Sequence, residues 1–524
     1  MQQSRRRFIQ KSLLSLPALG SLAACGGGAG AASGSTSPSA GNQTVPLTGG
    51  AGATPGNPSS TVVLSGGDPS QGLVQQGKAL IPYSSMPKPA KLQPVFDPDF
   101  KTTKITRITD VKADWNSQFA VPVYPTTQAW NCDETLMILY VSGSLGAGGH
   151  DGDFALFDGK TYKFLTFLNI NPADVEQWYW STTEPTALFY VDNNQRTGTQ
   201  QNALTKMTVT YSGGSVTTST AVLHDFANDF KPGGALYSAV QGAGLITKVS
   251  GGSDPFAMSE NNDLLGLGAY LNRNTSHGGA AYAAFTYRIS TGQIGEAFVP
   301  GDSTVPQALP SGQGTYFYQD ENYVYVKDAV TDAVKYKIAY DGTQHSDMLR
   351  NAAGDDIVAG PQFDNPDNSK NVILSMVNLT KGTGPVILID EPPVSGTLLS
   401  GRAYKVPGWV GMAMIGCPSG TNGDCNSGQP VAVGLPQTYL DQEVLIANVD
   451  SGAVYRVGHH RSTGNYGNAA QSNYWAQPNV TMSPSGTRIL FQSDWGDANP
   501  NNPVIDPNAM IDTYVMELPA YYSA

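Results

Sequence analysis

Helix-favouring runs of Ala, Leu, Glu and Lys are missing from this 524-residue chain once its N-terminal segment is passed, and charged residues make up only 14% of it. Gly, Pro, Tyr, Thr and Ser fill the gap. These are the residues of turns and pleated strands, so the fold class predicted is all-β. Positive charge is scarcer than negative: 30 Lys and Arg stand against 42 Asp and Glu, a net charge of −12, with no basic block beyond the N-terminus. That balance argues against nucleic acid as a partner, since gripping phosphates takes arrays of Lys and Arg. Two common hydrolase signatures are also absent, the Gly-x-Ser-x-Gly elbow and the His-Glu-x-x-His zinc motif. With only four cysteines and six histidines, the placement of each one matters.

The N-terminus reads SRRRFIQKSLLSLPALGSLAAC. Ser4-Arg5-Arg6-Arg7-Phe8-Ile9 resembles the twin-arginine export motif. The apolar stretch 13–24 is too short and too rich in small residues to span a bilayer, which needs about 20 apolar residues. Leu22-Ala23-Ala24-Cys25 resembles a lipobox, which implies a signal peptide over 1–25, lipidation of Cys25 and a membrane-anchored envelope protein. Gly26, in place of Asp, favours the outer membrane. Residues 26–91 are read as a stalk. The nearly uncharged part, 26–60, cannot bury enough apolar surface to offset its ordering entropy. Met86-Pro87-Lys88-Pro89-Ala90 is a stiffer spacer, and the folded domain is predicted over 92–524. Cys417 and Cys425 enclose a polar loop that a disulfide could close in an oxidising compartment. Cys132, at the head of an apolar strand, reads as a buried thiol.

Five segments share a polar turn followed by an apolar strand: WNCDETLMILYV from Trp130, WSTTEPTALFYV from Trp180, MSENNDLLGLG from Met258, RNAAGDDIVAG from Arg350 and MSPSGTRILFQSD from Met482. Between them lie hairpins tipped by Asp-Gly, Gly-Gly, Thr-Gly or Ser-Gly, with alternating strands on either side. This repeat order suits the four-stranded blades of a β-propeller. At roughly 40 to 50 residues per repeat, the chain holds about seven blades. Two of them, near 316–340 and 406–444, are identified only by position. Lys104-Ile105-Thr106-Arg107-Ile108-Thr109 is expected to close the ring against the C-terminal strand DTYVMEL.

The repeats resemble secreted β-propellers of the oligogalacturonate-lyase and TolB-like kind over most of 92–524, through short and degenerate motifs. The resemblance implies ligand recognition at the axial face, with an extracellular polysaccharide as the favoured class. In those lyases histidines and a glutamine hold a divalent metal that acidifies the proton alpha to a uronate carboxylate. Gln471 and Gln477 follow the histidine pair here, but the family's spacing is not reproduced and no ligand set is carried over.

His224, His345 and the pair His459-His460 each follow an outer hairpin, at repeat-related positions that lead towards the axis. One reading makes His224 and His345 ligands of a divalent ion, Mn, Zn or Ca. A second uses His459 or His460 as base, Tyr466 or Tyr474 as acid, and Arg461 or Arg402 against a substrate carboxylate. A third is structural, because a Gly-His at this junction hydrogen-bonds within its own blade in WD-repeat propellers. Trp178 and Trp475 are candidates for stacking on sugar faces, with His277 and Arg273 at the same mouth. The oxygen-rich stretches from Asp364 and Asp494 are calcium candidates or ordinary Asx turns. The function expected is therefore a carbohydrate-active lyase, with a non-catalytic envelope scaffold or binding protein as the opposing reading.

Overall fold

In the computed structural model the described residues are 67–74, 77–192, 202–241, 246, 248–251, 256–270, 281–299, 305–319, 322–362, 371–391, 398–414, 439–462, 474–496 and 508–522. Antiparallel sheets follow one another along the chain as seven blades in a ring, at 117–168, 178–225, 248–294, 307–339, 347–389, 398–459 and 480–517. In each blade the first strand is innermost. The expected all-β propeller is what forms, and the blades inferred only by position are the fourth and sixth.

The apolar run LMILYV shows why the sequence takes this shape. In the strand Leu136–Ser144, Leu136, Ile138 and Tyr140 pack into the seam with blade two, whereas Met137, Leu139 and Val141 pack into the seam with blade seven. Side chains of a strand alternate between its faces. Because both faces are covered by neighbouring blades, the whole run is apolar. Similar apolar clusters fill the seams between blades two and three, four and five, five and six, and six and seven. Among the described residues, the seam between blades three and four holds two clusters of three residues each. Gly266 permits the close approach there: a Cβ at this position would lie 1.6 Å from the Pro306 carbonyl oxygen.

The repeated polar turns join innermost and second strands. Asn131 Oδ1 accepts the Leu136 amide at 2.9 Å, and Ser259 Oγ accepts the Leu264 amide at 2.9 Å. The shared Asn or Ser thus caps a backbone turn that the ladder leaves open. Asn131 also donates from Nδ2 to the Pro185 carbonyl at 2.8 Å, tying blade one to blade two.

The ring closes as expected, and the pairing assigns the strands. Lys104–Arg107 becomes the fourth strand of blade seven by pairing with Asp512–Glu517, Ile105 opposite Met516. Val95–Phe96 adds a fifth. A buried network seals the seam between blades seven and one. Arg488 donates from Nη2 to Glu134 at 2.6 Å, and Tyr162 donates to Glu517 at 2.7 Å. The chain joins this body before Leu92. Met86 is buried, Trp495 donates to its carbonyl at 2.9 Å, and Arg456 donates to the Gly77 and Ala79 carbonyls. The Met86–Ala90 spacer is therefore packed on the propeller. Its prolines suit an extended segment with few amide donors to satisfy.

Candidate active site in the axial cavity

Residues of six blades line one cavity along the inner edges of the sheets. Its wall includes Tyr124, Tyr179, Tyr316, Tyr318 and Tyr404, together with Glu260, His345, Asp347 and Arg402. Tyr179, Tyr316 and Tyr318 are buried, packing into the seams between blades two and three and between blades four and five.

Arg402 follows the innermost strand of blade six, and Asp347 begins that of blade five. Arg402 donates from Nε to Asp347 Oδ2 at 2.9 Å and from Nη2 to Oδ1, and Gly401 donates its amide to Oδ2 at 2.7 Å. Burial lifts the Asp347 carboxyl and the guanidinium opposes that lift. With the Met348 amide, which donates to Oδ1 at 2.8 Å, four donors converge on its two oxygens.

Glu260 sits in the polar turn after the innermost strand of blade three. Its side chain keeps 26% of its surface open, and Arg350 Nη1 stands 4.0 Å away, 40% open. Burial pushes the Glu260 carboxyl up to about 7, with Asp356 adding to the lift and Arg350 and Arg402 opposing it. A carboxyl that is half protonated near neutrality can take or give a proton. Tyr179 and Tyr404 are displaced upward, burial being the main cause, so both stay protonated at working pH. His345 has φ 37°, in the left-handed region that a histidine seldom adopts.

Of the residues singled out by sequence, the structure brings Arg402 and His345 together here. The other histidines go elsewhere. His224, in the outermost strand of blade two, lies 2.6 Å from Asp229 through Nε2 and packs against Phe226 and Tyr287. His460 is fully buried, its Nε2 lying 2.9 Å from the Met414 carbonyl and its Nδ1 accepting the Ser462 amide at 3.0 Å. Burial lowers its pKa to about 4, so it stays neutral. This within-blade bonding is the structural arrangement weighed above. His459 and Arg461 are fully buried beneath the N-terminal segment, and Arg461 donates to the Ser84 carbonyl at 2.8 Å. The meeting of His224, His345 and His459 or His460 in one pocket is thus corrected: their positions are equivalent in the repeat but not in space.

Trp178 is also corrected as a stacking platform. It is 1% exposed and donates from Nε1 to the Val175 carbonyl at 2.9 Å. Trp475 is half-buried and stacks on Phe119 with centroids 4.3 Å apart. Tyr474 lies in the short turn Tyr474–Ala476, and Gln477 is buried outside the cavity wall. Cys132 is a buried free thiol, as expected, and burial pushes it up to about 11. Cys25, Arg273, His277, Cys417, Cys425, Tyr466 and Gln471 lie outside the described residues, as do the stretch from Asp364 and most of that from Asp494.

Sequence reasoning missed Glu260, Asp347 and Tyr179 as cavity residues, and Arg350, which stands beside Glu260 outside the cavity wall and donates to the Gly354 carbonyl. Glu260 and Arg350 belong to segments already used as turn signatures. For Tyr179 a signal existed: alternation within Trp178-Tyr179-Trp180 sends both tryptophans into one seam and the tyrosine to the other face.

No protein-family model matches the sequence, and no curated protein matches it. Among solved structures the chain is similar to an oligogalacturonate lyase in complex with manganese, at 12% identity over 83% of this chain and 98% of that one, with a TM-score of 0.47. It is also similar to the oligogalacturonate lyase of Vibrio parahaemolyticus, at 13% identity over 82% and 97%, with a TM-score of 0.46. The WD40 domain of Neurospora crassa Pan2 matches at 10% identity over 79% and 98%, with a TM-score of 0.37. At these identities the likeness is one of fold.

Proposed function

We propose that the protein is an exported β-propeller that binds a uronate-containing saccharide in its axial cavity and cleaves it by β-elimination. The observation that carries the reading is the meeting of Glu260, a partly open carboxyl that burial pushes up to about 7, with Arg402 and His345 in the wall of one cavity. In this reading Arg350 pairs with the substrate carboxylate, lowering the cost of charge that develops as the adjacent C–H bond breaks. Glu260 takes that proton, the C4–O bond breaks as C4=C5 forms, and a protonated tyrosine, Tyr179 or Tyr404, gives its proton to the leaving oxygen.

A divalent metal is the cofactor that the lyase resemblance implies. Among the described residues the cavity holds one histidine, and no three His, Cys, Asp or Glu side chains of its wall converge as a ligand set. The wall does not fit a protein-held ion, and no step is routed through one. A binding-only reading has its own support, because Asp347 already engages Arg402 through both carboxylate oxygens.

Calorimetry with oligouronides and neutral oligosaccharides tests recognition. Arg350→Ala is expected to weaken oligouronide binding by roughly tenfold or more, ~1.4 kcal/mol, while leaving neutral sugars unchanged. Equal loss for both classes would remove the carboxylate contact. Export and lipidation at Cys25 belong to the same proposal. Fatty-acid labelling of the expressed protein is expected and should vanish in Cys25→Ala; persistence of the label would overturn lipidation there.

A further inference from the structure

We propose that Asp97, Asp99 and His459 form a site for one divalent transition-metal ion of the zinc or manganese class, which pins the N-terminal segment onto blades six and seven. The site is separate from the axial cavity. One ligand atom from each residue lies within 4.8 Å of the others. The ligands come from distant parts of the chain: Asp97 and Asp99 precede the closing strand Lys104–Arg107, and His459 ends the outermost strand of blade six.

His459 supplies the independent observation. It has no exposed surface, and neither ring nitrogen has a hydrogen-bond partner. Its Nδ1 faces Asp99 Oδ2 at 3.6 Å, too far for a hydrogen bond. The edges of Tyr83 and Phe100 pack on the ring with centroids 4.8 Å and 5.0 Å away. Leaving a buried imidazole unsatisfied costs free energy, and a cation between the nitrogen and the carboxylates removes that cost.

The carboxylates are already oriented, as metal ligands are by their outer partners. Asp97 Oδ1 accepts the amides of Asp99 at 2.9 Å and Phe100 at 3.2 Å. Asp99 accepts the Ser84 hydroxyl at 2.6 Å and the Ser84 amide at 2.9 Å. Arg461 stands 3.5 Å from Asp97 and 4.0 Å from Asp99, so one cation faces two carboxylates and the set keeps one negative charge when the imidazole is neutral. Two carboxylate oxygens with one imidazole nitrogen suit zinc or manganese better than a softer ion.

The test uses the full chain, stripped with a chelator and dialysed against Zn²⁺ or Mn²⁺ alone. One ion per chain is expected by elemental analysis, with a Tm rise of about 5 °C or more on metal addition. Asp99→Asn keeps an acceptor for Ser84, and His459→Gln keeps the side chain polar. Both should fold with the parent's circular dichroism, bind roughly 100-fold more weakly and lose the Tm rise. Glu260→Gln should bind like the parent, separating this site from the axial cavity. A wild-type chain that retains no ion and shows no Tm change overturns the proposal, as does undiminished binding by Asp99→Asn.

Discussion

Glu260→Gln is expected to separate activity from stability in opposite directions. Glutamine cannot accept a proton, so elimination should fall by about 10²- to 10⁴-fold, the usual contribution of general acid–base catalysis. The parent's rate should rise with pH through about 7 as the carboxyl ionises. Stability should move the other way. The carboxyl's value rises from 4.5 to about 7 on folding. The native state therefore holds the extra proton between these values, and parent stability falls as pH rises across that window. Glutamine has no such proton to lose. The variant should gain Tm relative to the parent above pH 7 and show no such gain below 4.5. Denaturation curves at the two pH extremes check this without any substrate. A Tm difference that does not change with pH would mean that Glu260 is an ordinary surface carboxyl.

The second large effect concerns the ring itself. Glu134→Ala removes the carboxylate partner of Arg488, whose side chain is 1% exposed at the seam between blades seven and one. Arg488 would retain the Gly159 carbonyl and the Tyr162 hydroxyl as acceptors, with Glu517 reached only through Tyr162. Breaking a buried ion pair from one side leaves an uncompensated charge and costs about 3–5 kcal/mol. Arg488→Met with Glu134→Leu should recover much of that loss, because a buried pair replaced by apolar groups of similar volume is often neutral or better. Chemical denaturation of the single and double variants reads both values. A loss below about 1 kcal/mol for Glu134→Ala would show that the seam does not depend on this pair.

Local pattern made the propeller legible. Continuous apolar runs such as LMILYV signalled strands covered on both faces, and Asn131, Ser259 and their equivalents marked the turn after the innermost strand in five blades. The functional residues were less legible because repeat equivalence does not fix spatial role. His224 is held by Asp229 five residues away, whereas His459 is covered by Asp97, 362 positions earlier in the chain. Nothing in the sequence around GHHRS announces that lid. Asp97 lies within the predicted folded domain, whereas Tyr83 and Ser84, which pack at the same place, fall in the segment read as a stalk, since its Pro content and low periodicity match a linker equally well. Arg402 was found by residue type alone, and His345 by its place after an outer hairpin. Glu260 escaped because its turn had already been explained structurally, and a carboxyl's elevated pKa arises from the six-blade enclosure rather than from its neighbours in sequence.

The most direct test of the axial-cavity account is the ultraviolet absorbance of C4=C5 unsaturated uronate, followed as the purified chain acts on oligouronides with and without chelator. The account predicts a signal from the parent protein that persists in chelator, strengthens as pH rises through 7 and falls by two orders of magnitude or more in Glu260→Gln. A parent protein silent across the oligouronides, or a Glu260→Gln variant as active as the parent, would contradict it.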